Sequence, residues 1–193
     1  MTPATTDFVP RLRAALARRT PATLHDEQAQ RAAVAVVVSA EDAPAILFVK
    51  RGERSGDPWS GHVAFPGGFR SPADDSAVAT ARRETDEETG LDLVRLGEQL
   101  GLLDDVYPRS ARLPKVIVTP VVFLVWGRPA VSARAEVVRA EWIEAAEVFD
   151  PANRHPYVLH AGGGQLTFES VVVHGLTVWG LTERILSQIA NVI

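Results

Sequence analysis

This chain of 193 residues has no cysteine, a single methionine and only two lysines. The lack of cysteine excludes disulfide bonds, thiolate metal sites and cysteine nucleophiles, and it agrees with a reducing, cytoplasmic location. A net charge of −4 provides no general positive field, so we expect no nucleic-acid partner. No apolar run approaches the roughly 20 residues that a membrane-spanning helix needs, so we expect no membrane partner either.

The length and the 46% hydrophobic content predict one soluble domain with a sizeable core. No internal repeat, low-complexity tract or linker divides the chain. Residues 1–30 are predicted to form a helical N-terminal extension, and residues 31–193 the core of the domain. Phe8, Leu12 and Leu16 have the spacing of an amphipathic helix, an interpretation favoured over a transit peptide despite the nearby arginines.

The order of predicted elements indicates the fold class. Apolar, β-branched runs at 32–39 and 45–50 are joined by a short polar turn with a proline, a pattern typical of a β-hairpin. Strands and helices then interleave without a regular βαβ alternation, which favours an α/β fold with a mixed sheet between helices. The further predicted elements are strands at 62–65, 93–103, 116–126 and 137–143 and a helix at 176–189.

The most informative segment is the acidic stretch 83–90, which follows a Phe-Pro-Gly-Gly run at 65–68. On a helix, Glu84, Glu87 and Glu88 share one stripe, where their mutual repulsion is unfavourable unless a cation lies among them. Carboxylate oxygens are hard ligands that suit Mg²⁺ or Mn²⁺. A solvated acidic face is the usual interpretation of a glutamate pair, but the added arginine and glycines make it the weaker one here.

These residues resemble the signature of the Nudix hydrolase family. That signature is a glycine, a loop, an acidic residue, a helix with Arg-Glu-x-x-Glu-Glu-x-Gly, and an apolar residue. The similar positions are Gly68, Asp75, Arg83, Glu84, Glu87, Glu88, Gly90 and Leu91. Counted back from Arg83, the acidic position is Asp75, so the loop after Gly68 has six residues instead of five. The resemblance implies an α/β/α sandwich with a mixed β-sheet and metal-dependent hydrolysis of phosphoanhydride bonds.

The resemblance also implies roles for individual residues. The implied metal ligands are Glu84, Glu87, Glu88 and the backbone at Gly68, and the candidate catalytic residues are Arg83, Glu87, Glu88 and Glu136. Arg83 would orient the glutamates, and its i,i+4 spacing from Glu87 gives that role a physical basis. The general base varies within the family, and Glu136 is the candidate outside the helix. An exposed loop glutamate is the alternative for Glu136.

An acidic protein that acts on phosphates must supply cations locally. The candidate substrate-binding residues are Arg51, Arg54, Gly67, Gly68 and Arg70, with Arg112 in a further loop. Segments 59–68 and 178–182 resemble the coenzyme A pyrophosphatase branch of the family. The fuller signature of that branch has an arginine four residues before Gly61, where this chain has Asp57. The charge at a substrate-recognition position is therefore reversed, and Arg51 or Arg54 would have to substitute.

The predicted partner is a small-molecule nucleotide in which a nucleoside diphosphate is linked to another moiety. Coenzyme A or a derivative is the first choice, cleaved to 3′,5′-ADP and 4′-phosphopantetheine. The alternatives are an ADP-ribose, nucleotide-sugar or nucleoside-triphosphate pyrophosphatase, and a catalytically silent nucleotide-binding regulator. Three glutamates on one stripe argue against a silent regulator, because it has no need of a costly anionic cluster. A homodimer and a monomer both remain open.

Overall fold

The structure, a computed structural model, describes residues 7–108, 110, 113–161 and 164–193, and Arg112 lies outside them. The helices are α1 (Phe8–Ala17), α2 (Ala77–Thr89), α3 (Leu93–Leu96), α4 (Ala145–Val148) and α5 (Leu181–Val192). The strands are β1 (Gln30–Ala40), β2 (Ala45–Arg51), β3 (Val63–Ala64), β4 (Gly67–Phe69), β5 (Gly97–Leu102), β6 (Val116–Trp126), β7 (Val137–Glu144), β8 (Arg154–Ala161), β9 (Gly164–Val173) and β10 (Leu176–Trp179).

Within the described residues, seven strands form one mixed sheet. Its main path has the order β3-β2-β1-β6-β5, while β4 pairs with β1 and β7 pairs with β2. Strand β1 runs parallel to β6, and the other pairings in this sheet are antiparallel. The antiparallel pairing of β1 with β2, with Val38 opposite Ile46, confirms the predicted hairpin. Strand β1 is rich in alanine and valine, which suits a strand buried on both faces.

Helices cover both faces of this sheet. Val36 and Val38 of β1 belong to a large core that also contains residues of α1 and α5. Ala35 and Val37, which point to the opposite face, belong to a smaller core beneath α2. The predicted α/β fold with a mixed sheet between helices is therefore confirmed, and α2 has one face of the sheet largely to itself.

The amphipathic helix predicted near the N-terminus is confirmed as α1. The residues that gave the amphipathic spacing, Phe8, Leu12 and Leu16, are buried, and the helix packs against β5 and α5. Among the described residues, no helix is both long enough and apolar enough to cross a bilayer.

Two predicted boundaries are wrong. The first residues of the predicted helix at 176–189 form β10, and Gly180, with a φ of +69°, separates that strand from α5. The predicted strand at 93–103 begins with the short helix α3, because the Asp92 side chain accepts the N–H groups of Val94 and Arg95. Strand β10 belongs, with β9 and β8, to a separate antiparallel sheet in which the strand order is β10-β9-β8.

Candidate functional site

The glutamate stripe lies on α2, and both ends of this helix are capped. The Ser76 hydroxyl accepts the N–H of Ala79 at 3.1 Å, so Ser76 is the N-cap of this helix. Gly90 ends the helix with a φ of +73°, a conformation that favours glycine. The Ser76 hydrogen bond and the Gly90 conformation therefore determine where the helix begins and ends.

Asp74, and not Asp75, holds the arginine of the motif. The Nε and Nη2 atoms of Arg83 donate to the two carboxylate oxygens of Asp74 at 3.1 and 2.9 Å. This bidentate contact, with hydrogen bonds from the Ser71 N–H and the Thr80 hydroxyl, holds the pKa of Asp74 well below its usual range. The prediction of Asp75 is wrong, because its exposed carboxylate accepts only from the hydroxyl of the adjacent serine in the contacts described.

This reassignment changes the interpretation of the loop. Counted forward from Gly68, five residues precede Asp74, so the glycine-to-acid spacing is the usual one. The additional residue lies between Asp74 and Arg83, where Ser76 begins the helix. The segment between the glycine and the acid therefore has ordinary length.

Arg83 also contacts the glutamates and the glycine segment. Its Nη1 donates to Glu84 Oε1 at 2.8 Å and to Glu87 Oε2 at 3.1 Å, and its Nη2 donates to the carbonyl of Phe69 at 3.0 Å. One guanidinium thus links Asp74, two stripe glutamates and β4. An orienting residue requires such contacts, and the role stays a prediction.

The Gly-Gly segment forms strand β4 against β1 and lies directly on the glutamates. The N–H of Gly67 donates to Glu88 Oε2 at 3.0 Å. A β-carbon on Gly68 would lie 2.5 Å from Glu84 Oε1, while one on Gly67 would overlap the backbone of Ala33. Neither glycine has a positive φ. Close approach of the backbone, and not conformational freedom, therefore explains both glycines.

Burial distinguishes the three glutamates. Glu88 is only 5% exposed, and its burial raises its pKa to about 7, with a contribution from the neighbouring Glu84 and an opposing one from the Gly67 N–H. Burial also raises the pKa of Glu84, whereas the Glu87 side chain is half exposed. Two desolvated carboxylates side by side are unfavourable as anions unless a cation compensates them.

The donor set fits a hard divalent cation. Among the described residues, no three acidic or histidine side chains converge into a ready-made metal cluster. Arg83 draws oxygens of Glu84 and Glu87 towards itself, while Glu88 is bonded to the glycine backbone. The carboxylate chemistry of these three side chains and their shared helix face are nevertheless what Mg²⁺ or Mn²⁺ needs.

A second charged cluster lies beside the glutamates. Arg51 Nη2 donates to Asp57 at 2.7 Å and to Glu136 at 2.9 Å, and Arg54 also donates to Glu136. The pKa of Arg51 is raised: burial opposes the rise, but Asp57, Glu136 and Glu88 outweigh it. These residues line a cavity of about 210 Å³. The structure therefore brings Arg51, Arg54 and Glu136 together, with Arg51 and Glu136 near Glu88 and Glu136 bound to both arginines.

Arg70 is the residue that directly follows β4. Its Nε and Nη2 donate to the backbone carbonyls of Asp74 and Asp75 at 3.1 and 2.9 Å. These two bonds order the loop that carries Asp74. The substrate-binding role of Arg70 stays a prediction, and the side-chain contacts described for it are with the protein's own backbone.

Two features of the site region were not predicted. Asp74 could have been found by counting forward from Gly68 instead of backward from Arg83. An aromatic cluster of Tyr157, Phe168 and Trp179 packs against His62, and the distances between ring centroids run from 4.3 to 5.4 Å. These four residues come from four separate segments, so no local pattern reveals the cluster.

We expect Asp74→Asn to lower both activity and stability. The amide cannot balance the Arg83 charge, so we expect a loss of about 2 kcal/mol in the free energy of unfolding at pH 7. Because the pKa of Asp74 is lowered in the folded state, its stabilisation is present at neutral pH and is lost as the pH falls. The free energy of unfolding of wild type and variant would be measured by urea unfolding at several pH values. The difference between the two free energies should become smaller below about pH 4.

The matched control for this variant is Asp75→Asn, at the exposed neighbouring position. It should leave turnover and unfolding close to wild type. If Asp75→Asn were the more damaging of the two, the reassignment of the acidic position would be wrong.

Comparisons with known proteins agree with this geometry. The family model described as NUDIX domain matches residues 29–161. Mitochondrial coenzyme A diphosphatase NUDT8 of Mus musculus is 33% identical over 176 residues, which cover 86% of this chain and 79% of that protein. Uncharacterized protein C14C4.10c of Schizosaccharomyces pombe is 36% identical over 112 residues, covering 56% of this chain and 34% of that protein. This chain thus spans about a third of the yeast relative.

A solved structure shows the same fold. It is the crystal structure of a MutT/nudix family protein from Enterococcus faecalis, with a TM-score of 0.55 and 19% sequence identity. The similarity covers 95% of this chain and 68% of that chain, so it extends beyond the residues that the family model matches.

Proposed function

Because this chain belongs to the Nudix family and is a hydrolase of phosphoanhydride bonds, we propose that it cleaves coenzyme A or a derivative. The observation that carries this proposal is the position of Arg51 beside the buried end of the glutamate stripe at Glu88, with Arg54 joined to Arg51 through Glu136. A substrate diphosphate would lie between a cationic pair and the anionic helix. The name of the mouse relative supports coenzyme A as the first choice.

We propose that Glu84, Glu87 and Glu88, with backbone at Gly68, hold Mg²⁺ or Mn²⁺. Such an ion, when bound, neutralises charge on the phosphoryl oxygens and activates water. Arg83 keeps two of the three carboxylates in place through its Nη1 atom, while its Nη2 atom donates to Asp74. Because Gly68 lies so close to Glu84, the backbone of β4 limits the directions in which that carboxylate can turn.

Arg51 and Arg54 are proposed to bind the phosphates of the substrate. Arginine is suited to this because its planar fork matches phosphate oxygens. In this structure both arginines instead form ion pairs with the carboxylate of Glu136. A bound diphosphate would compete with Glu136 and release its carboxylate beside the reacting water. Glu136, Glu87 and Glu88 all stay candidates for the group that accepts the water's proton.

A substrate panel tests the proposal. Coenzyme A, ADP-ribose, a nucleotide sugar and nucleoside triphosphates would each be incubated with the enzyme and Mg²⁺ or Mn²⁺, and the products identified by mass. We expect coenzyme A to give 3′,5′-ADP and 4′-phosphopantetheine, because attack on the diphosphate leaves one phosphate on each half. Faster hydrolysis of ADP-ribose or of a triphosphate would overturn the choice of coenzyme A and leave the family assignment intact.

We expect Asp57→Asn to lower the KM for coenzyme A by about threefold with little change in kcat. Asparagine can still accept the Trp59 N–H, which Asp57 accepts at 2.9 Å, but it no longer neutralises Arg51. Arg51 is then more available to a substrate phosphate. Steady-state kinetics would check this. Glu41→Gln is the control, because it also removes a carboxylate from an ion pair: Glu41 pairs with Arg128 at a distance of 3.1 Å, and not with Arg51. An unchanged or higher KM in Asp57→Asn would contradict the role of Arg51.

We also propose that the enzyme works in the cytoplasm on a small nucleotide. The name of the mouse relative places that protein in mitochondria. Fractionation of the source cells, with immunodetection of this chain, distinguishes the two locations.

A further inference from the structure

The loop of residues 132–136, in the connection between β6 and β7, is bonded to the end of the glutamate helix α2. The last carbonyl groups of a helix have no partner within it. Here the N–H of Ser132 donates to the carbonyl of Thr89 at 3.0 Å, and the N–H of Arg134 donates to the carbonyl of Glu88 at 2.9 Å. The main chain of this loop is therefore attached to a residue of the glutamate stripe.

The Arg134 side chain packs on the glycine that ends α2. A β-carbon placed on Gly90 would overlap the guanidinium of Arg134, so the arginine occupies the space that a larger residue would need there. Arg134 Nε donates to the Ser132 hydroxyl at 3.0 Å, which fixes the direction of the side chain. A cation is also favourable at the C-terminal end of a helix, where the helix dipole is negative. Arg134 therefore holds the 132–136 loop to α2 through its side chain as well as its backbone.

The residue after Arg134 has a strained backbone. Ala135 has a φ of +50°, and among the described non-glycine residues only His174 shares a positive φ. The N–H of Val137 donates to the carbonyl of Arg134 at 3.0 Å, so Ala135 is the first central residue of a four-residue turn. A positive φ at that position favours glycine, and alanine keeps it only where the surrounding contacts enforce it.

Glu136 is the second central residue of this turn, and it is held from both sides. Its carbonyl accepts the N–H of Gly52 at 2.8 Å, and a β-carbon on Gly52 would lie 3.2 Å from that same carbonyl oxygen. Its carboxylate forms ion pairs with Arg51 and Arg54. Glu136 also lies near enough to Glu88 for their charges to interact. The turn therefore places the Glu136 carboxylate between the arginines and the buried end of the glutamate stripe.

We propose that Arg134 and Ala135 are positioning residues that hold Glu136 beside Glu88 during the reaction. This inference rests on the part of the proposed function in which Glu136 acts on the reacting water. Arg134 attaches the loop to the end of α2, and the turn at Ala135 directs the next side chain. A substrate diphosphate that takes over the two arginines releases Glu136 from its ion pairs but not from this loop. The carboxylate then stays near the glutamate stripe without its arginine partners.

The first test is a double-mutant cycle on kcat, with the best substrate of the panel. Arg134→Gln should lower kcat by at least about fivefold and change KM by less than about twofold. Arg134→Lys, which keeps a cation at the end of α2, should lower kcat less. In a Glu136→Gln background, Arg134→Gln should cause no further loss, because no carboxylate is left to position. A merely structural role would lower kcat in both backgrounds, and a raised KM with unchanged kcat would make Arg134 a substrate-binding residue; either result overturns the inference.

The second test concerns the turn. Glycine adopts a positive φ without strain, whereas a β-branched residue very rarely does. We therefore expect Ala135→Val to lower kcat by at least about tenfold more than Ala135→Gly does. Equal kcat values in the two variants would overturn the role of the turn.

The matched control is Arg128→Gln, in the same connection between β6 and β7. Arg128 pairs with Glu41 at 3.1 Å and with Glu144 at 3.3 Å, and not with α2, so this variant should leave kcat and KM at their wild-type values. Amide hydrogen exchange of the protein without substrate or metal gives a readout that does not depend on turnover. Residues 132–137 should exchange faster in Arg134→Gln than in wild type or in the control. Unchanged exchange would contradict the attachment of the loop by Arg134.

The results also separate this inference from the function on which it rests. If Glu136→Gln lowers kcat while Arg134→Gln and Ala135→Val do not, Glu136 keeps its place in the reaction and this inference alone falls. Wild-type kcat in Glu136→Gln would remove Glu136 from the reaction, and the inference would fall with that part of the proposed function.

Discussion

Replacing Glu88 with glutamine should lower kcat/KM by at least about a hundredfold, which is on the order of 3 kcal/mol of transition-state stabilisation. Glutamine has nearly the same shape, and its amide oxygen can still accept the Gly67 N–H that Glu88 accepts at 3.0 Å. What is lost is the negative charge that a divalent cation requires. The measurement is steady-state turnover of the best substrate in the panel across a range of Mg²⁺ and Mn²⁺ concentrations.

The same variant should be more stable than wild type when a chelator removes metal. In the folded state, burial raises the pKa of Glu88 to about 7, above its usual value, so the folded protein holds this proton more tightly than the unfolded chain does. Raising the pH through that range therefore destabilises wild type but not Glu88→Gln. The difference in melting temperature between Glu88→Gln and wild type should therefore grow between about pH 5 and pH 8, because wild-type Glu88 loses its proton in this range. A variant that melts well below wild type would show that Glu88 is structural, and undiminished turnover would remove it from the site.

Placing a β-carbon at position 68 should have the second largest effect. The β-carbon of Gly68→Ala would lie 2.5 Å from Glu84 Oε1, so the carboxylate has to move out of its position beside Glu88. We expect turnover to fall by at least about tenfold, equivalent to roughly 1.4 kcal/mol, with a small change in melting temperature because a flexible side chain can give way.

Gly67→Ala is the informative comparison. Its β-carbon would meet the backbone of β1 at Ala33 and Val34, which cannot move without disturbing the central strand. This variant should therefore lose stability as well as activity, and calorimetry separates the two effects. Wild-type turnover in Gly68→Ala would reduce that glycine to an ordinary strand residue. Equal losses of stability in Gly67→Ala and Gly68→Ala would contradict the inference that a β-carbon meets backbone at one position and a flexible side chain at the other.

Local spacing was sufficient to predict the glutamate helix and much of the sheet. Residues three and four apart on a helix must share a face, so the stripe of Glu84, Glu87 and Glu88 follows from periodicity alone. The β1–β2 hairpin and β6 were also predictable, because runs of valine and isoleucine broken by turn residues fold locally into strands. The contact of Arg83 with Glu87 has the same origin, since the i,i+4 spacing places them together.

Contacts between distant segments decided the rest. The choice of Asp74 over Asp75 depends on the direction in which a loop side chain points towards Arg83, nine residues further along, and spacing rules describe helices better than loops. Glu136 is bonded to Arg51 and Arg54, some eighty residues earlier in the chain, and no local pattern encodes such a pairing. Likewise, the first turn of the predicted C-terminal helix became β10 because pairing with β9 satisfies its backbone, a long-range effect that overrides the local apolar spacing.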